Sequence, residues 1–180
     1  MSIVLAWLSL PACRTEMIQV HDTGCSAGNA CADTPLSALM GTGQIAYEPL
    51  DAGTDLFIVR GSQGGWHIWT SGRISATSPS ISWVPKVIVH NTAEQIGGAQ
   101  PPAVQVLGNW DGCTGEFFGG FAYIDDVVVS DFDAFVCDIS GETLDLSLTV
   151  TDLLTGQTTT DFRTASARFD EETYATYCAN

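Results

Sequence analysis

The stretch Leu144-Asp145-Leu146-Ser147-Leu148-Thr149-Val150-Thr151 decides the fold class. Its apolar residues recur at every second position. Side chains alternate across an extended strand, so Leu144, Leu146, Leu148 and Val150 point one way, and Asp145, Ser147, Thr149 and Thr151 the other. A helix would place its apolar residues three and four apart instead. The reading is a strand with one face in a core and one in water. Leu154-Thr155-Gly156-Gln157 follows as a turn, and the Thr-rich run from Thr158 to Arg168 returns as the partner strand.

The same pattern marks strand candidates at Gln44–Tyr47, Asp55–Arg60, Trp66–Ser75, Ile81–His90, Ala103–Leu107, Gly119–Ile124 and Phe135–Cys137. Only Asp170–Tyr177 reads as a short helix. Short strands with Gly and Pro turns between them predict an all-β fold. An antiparallel β-sandwich of immunoglobulin-like topology is the first expectation, with a jelly roll as the alternative. That domain runs over 36–180. Before it lie a linker over 14–35, with a small polar loop between Cys25 and Cys31, and an apolar segment over 1–13.

The chain has 180 residues, enough for one domain with a core, and 45% of them are hydrophobic, which argues against general disorder. Acids outnumber bases 21 to 6, for a net charge of −15. Nucleic acid and anionic lipid both require Lys and Arg to displace counterions, so neither is a fitting partner.

Gly61-Ser62-Gln63-Gly64-Gly65-Trp66-His67-Ile68-Trp69 is the most distinctive stretch. A phosphate loop would open a helix, and these glycines open a strand. Glycine tolerates positive φ, so Gly61–Gly65 reads as a hairpin turn with a bulge. Trp66, Ile68 and Ile74 should then face the core. His67, Trp69 and Arg73 should form an exposed or half-exposed strip of roughly 20 Å, a length that suits a protein or glycan contact. A metal site at His67 would need converging partners, and the other histidines, His21 and His90, are not placed by the sequence to supply them.

No G-x-S-x-G elbow and no H-E-x-x-H occurs, and the acids show no spacing peculiar to a glycosidase pair. Asp125, Asp126, Asp131 and Asp133 flank Val127-Val128-Val129, read as a buried strand or loop, and are the candidates for a structural calcium. Trp66, Trp69, Trp83, Trp110, Phe117, Phe118 and Phe121 are candidates for a carbohydrate platform, although a core must claim several of them.

The apolar run Ile3–Leu10 is too short to span a bilayer. It leads into Leu10-Pro11-Ala12-Cys13, which resembles the lipobox of bacterial lipoproteins, with Cys13 as the lipidated residue. The alternative is an N-terminal strand of the domain. Arg14 rather than Asp after the cysteine implies, by that resemblance, the outer membrane. Lipidated Cys13 would leave Cys25, Cys31, Cys113, Cys137 and Cys178, one of them unpaired. Of these, Cys113 and Cys137 are expected to pair across the excursion between them. No C-x2-C occurs, so zinc is not implied.

The run Gly61-x-Gln63-Gly64-Gly65-x-His67-x-Trp69, with Arg73 beyond it, resembles a stretch of an uncharacterised family of secreted lipoproteins of Gram-negative bacteria. The likeness covers Met40 to Ile74. It implies export and a β-domain, and no catalytic residue. The combined expectation is a non-enzymatic, lipid-anchored binding or structural module of the cell envelope, periplasmic or held at the outer membrane. Its partner would be an envelope protein or glycan. It would touch the membrane only through its lipid and would need no cofactor beyond calcium. A carbohydrate- or calcium-binding envelope domain is the alternative, and a secreted hydrolase stands third.

Overall fold

The structure, a computed structural model, describes residues 35–51, 53–75, 78–98 and 100–179. Segment 1–13 and nearly all of 14–35, with Cys13, His21, Cys25 and Cys31, lie outside the described residues. The elements are β1 (Ser37–Thr42), β2 (Glu48–Pro49), β3 (Asp55–Arg60), β4 (Trp66–Ser75), β5 (Ser80–Val89), β6 (Glu94–Gly97), β7 (Ala103–Val106), β8 (Thr114–Ile124), α1 (Phe132–Asp138), β9 (Thr143–Asp152), β10 (Thr158–Arg168) and α2 (Glu171–Tyr177).

The chain is all-β with two short helices, and β9 and β10 are the hairpin expected from the leucine alternation. Leu144, Leu146, Leu148 and Val150 are buried in the core. The two-sheet sandwich is not what the pairings build. All ten strands join one sheet. It closes on itself as a seven-strand mixed barrel, in the order β4-β3-β10-β9-β5-β6-β8, with β8 back on β4. The β4–β8 pairing, from Trp66↔Ile124 to Ser75↔Thr114, removes the free edges that two stacked sheets would keep. One pair, β3 with β10, is parallel. Closure is a long-range pairing and leaves no mark on local alternation.

Two other elements depart from expectation. Phe135–Cys137 lies inside helix α1, whose N-cap Asp131 accepts from the Ala134 N–H at 3.0 Å. Gln44–Tyr47 forms a bend rather than a strand, and β1 lies just before it. The short helix at the C-terminus is present as α2, capped in the same way by Asp170.

The helices close one end of the barrel. Cys137 in the last turn of α1 is disulfide-bonded to Cys178, the residue after α2, with 5.4 Å between Cα atoms. The expected Cys113–Cys137 bond is therefore replaced. Cys113 precedes β8 and Cys137 follows it, and an eleven-residue strand carries the chain roughly 35 Å from one to the other end of the barrel. Cys113 is also disulfide-bonded, to a residue other than these two.

Arg60 ties the helical cap to the wall. Its guanidinium lies 2.9 Å from the Asp133 carboxylate, over the Trp66 ring at 5.0 Å and the Tyr177 ring at 4.4 Å. Trp66 Nε1 donates to the same Asp133 oxygen at 2.7 Å. These two hydrogen bonds, Trp66 first, hold the Asp133 carboxyl below its ordinary range.

The connection between β3 and β4 is the expected hairpin. Gly61 N–H donates to Gly65 O at 3.0 Å, and Gly64 and Gly65 have φ of 85° and 77°. A Cβ at either glycine would meet no atom within 4 Å, so only the backbone opposes substitution. Gly64→Val or Gly65→Val should each lower stability by about 1–2 kcal/mol in urea unfolding, with Gly64→Asn milder.

The disulfide encloses a sequence separation of 41 residues. Cys178→Ala should therefore lower unfolding stability by up to about 4 kcal/mol in the chain-entropy account. Under non-reducing digestion, the wild-type protein should yield a peptide linking Cys137 to Cys178.

Candidate functional site

Alternation sets the two faces of β4 as expected: Trp66, Ile68 and Ile74 are buried inside the barrel. On the outside, cross-strand pairing places Val59 beside His67, His67 beside Tyr123, and Trp69 beside Phe121. These neighbours form one aromatic cluster. His67 packs edge-on against Trp69 at 5.0 Å and Phe121 at 4.7 Å between centroids. Trp69 and Phe121 are 4.8 Å apart, and Phe121 and Tyr123 5.5 Å. Phe121 stays 38% exposed and Tyr123 40%, while Trp69 is half-buried.

His67 is the correction within this strip. It is only 5% exposed, because the three rings enclose it, and its Nε2 has no hydrogen-bond partner. Burial disfavours the imidazolium and pushes the pKa below its ordinary value. The neutral ring therefore serves as a flat, uncharged element of the cluster. Arg73 is not brought together with His67 and Trp69. It lies beyond the β8 bulge opposite Thr70–Gly72, paired with Glu116 at 2.8 Å and placed over Tyr47 at 4.7 Å.

Sequence reasoning passed over Tyr123, although the alternation Phe121-Ala122-Tyr123-Ile124 puts both rings on the outer face. Among the other platform candidates, Trp66, Trp83 and Phe117 are core, and Trp110 packs against it.

The Asp cluster is dispersed. Asp125 accepts from Gln100, Asp126 from Gln95, Asp131 caps α1, and Asp133 holds Arg60 and Trp66. Val127–Val129 forms an irregular loop with Val128 fully exposed, not a buried strand. Among the described residues, no three His, Cys, Asp or Glu side chains converge to hold a metal ion.

Beside the aromatic cluster lies a cleft of about 360 Å³, lined by Trp83, Pro85, Gln105, Gly120, Phe121 and Tyr123 among others. Phe121 and Tyr123 thus belong to both features.

The chain matches no family model and no curated protein.

The buried imidazole has a consequence for acid stability. Below about pH 6.5 the unfolded chain's histidine takes a proton that the folded one resists. Unfolding then binds protons, so the stability held above that pH is lost progressively below it. Tm should fall between pH 7.5 and 5, and His67→Phe should remove part of that slope. Equal slopes in the two proteins would show that burial does not lower the His67 pKa.

Proposed function

We propose that the protein is an exported, non-enzymatic binding module of the cell envelope, anchored through Cys13, whose outer aromatic face holds a glycan. The observation that carries this reading is the contiguous ring cluster of His67, Trp69, Phe121 and Tyr123 on the outer surface of β4 and β8. A sugar ring presents flat apolar C–H faces, and exposed aromatic rings with few charges near them are the surface those faces stack on. A core has no use for these rings, because the inner face of the same strands is already filled.

Further support comes from chemistry elsewhere. A disulfide between Cys137 and Cys178, with a second one at Cys113, suits an oxidising compartment. The lipobox-like Leu10–Cys13 stretch and the resemblance of Gly61–Trp69 to exported lipoproteins point the same way.

The test is retention on insoluble peptidoglycan, chitin and cellulose. Wild-type protein should sediment with at least one of them. Trp69→Ala and Tyr123→Ala should each weaken retention about five-fold, the loss of one ring contact of about 1 kcal/mol. Phe162, which is 75% exposed on β10, supplies the control. If Phe162→Ala weakens retention as much as Trp69→Ala, the binding is general stickiness and the proposal fails.

A further inference from the structure

The cleft beside the aromatic face is a gap in the barrel wall. β9 pairs with β5 along its whole length, from Ile81 to Val89. The other edge of β5 is shared. β7 covers Ser80–Trp83 and β6 covers Val87–Val89, both antiparallel to β5, which leaves Val84, Pro85 and Lys86 without a partner there. β8 repeats the pattern. It is tied to this strand position at Ile124 by Gly97 and at Glu116 by Gly108, with no strand between. One strand position is thus paired at both ends and unpaired in the middle, where Gly98 lies against Pro85 and where Gln100 and Pro101 line the cleft.

The sequence builds this opening. Proline has no N–H, so Pro85 interrupts the edge without stranding a donor. Gly98, at φ 94°, lets the chain leave β6 against the Pro85 carbonyl, where a Cβ would collide. Trp83 forms the floor, lying on Gly120, whose Cβ would come within 2.5 Å of the indole.

We infer that this slot is a subsite for a single neutral sugar ring of the bound glycan, an inference that rests on the glycan reading above. Its chemistry selects that class. The lining contains no Asp, Glu, Lys, Arg or His, so a charged group entering it would lose water without gaining a counter-charge. Two polar side chains have groups uncommitted. The Gln105 amide makes no hydrogen bond, and Gln100 spends its Nε2 on Asp125 and keeps its carbonyl oxygen. Trp83, 5% exposed, offers ring surface to the slot, its Nε1 being buried without an acceptor. An amide offers donor and acceptor side by side, which matches vicinal hydroxyls. Phe121 and Tyr123 supply stacking faces and connect the slot to the outer cluster, so a chain on the platform can lower one ring into the wall.

Soluble neutral oligosaccharides of the cello, chito and malto series would be titrated against the full chain by calorimetry, with tryptophan fluorescence as a second readout. Wild type should bind one of them, and Gln105→Leu should weaken that binding at least ten-fold with an unchanged unfolding curve. Ala103→Phe, which fills the slot from β7, should do the same and covers the case in which Gln105→Leu misfolds. If both variants bind like wild type while Trp69→Ala binds poorly, the subsite is wrong and the platform stands. If wild type binds none of the three series, subsite and glycan reading fall together. Equal affinity for a polyuronate would overturn the neutral-ring assignment.

Discussion

The fold depends on one strand meeting three neighbours. β4 pairs with β8 along its full length on one edge, and shares its other edge between β3, at Trp66–Ile68, and β1, at Ser71–Ser75. Only Trp69 and Thr70, between these two partners, have no strand beside them on that edge, and the barrel closes only because β8 returns to β4. That position explains why both faces of β4 are covered from Trp66 to Gly72. Inside are core residues. Outside, the rings of β8 lie over His67, and Thr42 and Ser71 join β1 to β4 by side-chain hydrogen bonds. The aromatic cluster is thus a product of closure: the strand that seals the barrel is the strand that brings Phe121 and Tyr123 to His67 and Trp69.

A barrel of this size must fill its interior with side chains, and two large rings do so at a cost in wall space. Trp83 and Phe117 stack at 4.8 Å and 23°. Phe117 lies on Gly72 and Trp83 on Gly120, at positions where a Cβ would come within 2.5 Å of each ring. Glycine is required here for space rather than for backbone conformation. The same reasoning separates these residues from Gly64 and Gly65, where nothing is near and only φ matters. Where β1 and β10 run side by side without strand pairing, the Asp161 carboxylate accepts from the Met40 N–H at 2.7 Å, so a side chain replaces the missing ladder bond. At this contact the wall is held by a hydrogen bond where it is not continuous in strands.

Local pattern made β3, β4, β9 and β10 legible to within a residue, because alternation and turn glycines are local properties. It also sorted the faces of β4. The exposure of His67 was misjudged, because what covers His67 comes from β8, more than fifty positions away. Closure, the parallel β3–β10 pair and the partner of Cys137 are likewise long-range. Helix α1 was missed for a different reason. Phe135-Val136-Cys137 has β propensity, and the Asp131 cap together with the Trp66–Asp133 hydrogen bond overrides it. Of the site, Trp69 was legible from its own strand. Tyr123 carried the right signal, since it alternates with Ile124. The slot carried none, because a missing piece of strand between two present pieces is a fact about register and not about residue type. Pro85 in the middle of a ten-residue strand was its only trace.

Pro85 also shows how the barrel can keep an opening without losing stability. In a continuous antiparallel strand a proline removes a ladder bond and is disfavoured away from an edge. Here β5 is an edge for three residues and an interior strand on both sides of them, so the proline falls where no bond was available to lose. On the opposite wall, the bulge in β8 across from Thr70–Gly72 lets Gly119 N–H donate to Gly43 O at 3.1 Å. That bond satisfies the donor which the irregularity frees. Between these points, β5 at Val84–Lys86 and β8 between Glu116 and Ile124 have no strand partner on the slot side. Beside them stand the Gln105 amide and the carbonyl of Gln100. Backbone and side-chain groups left open side by side give this stretch of wall more hydrogen-bonding capacity than the fully paired strands on either side of it.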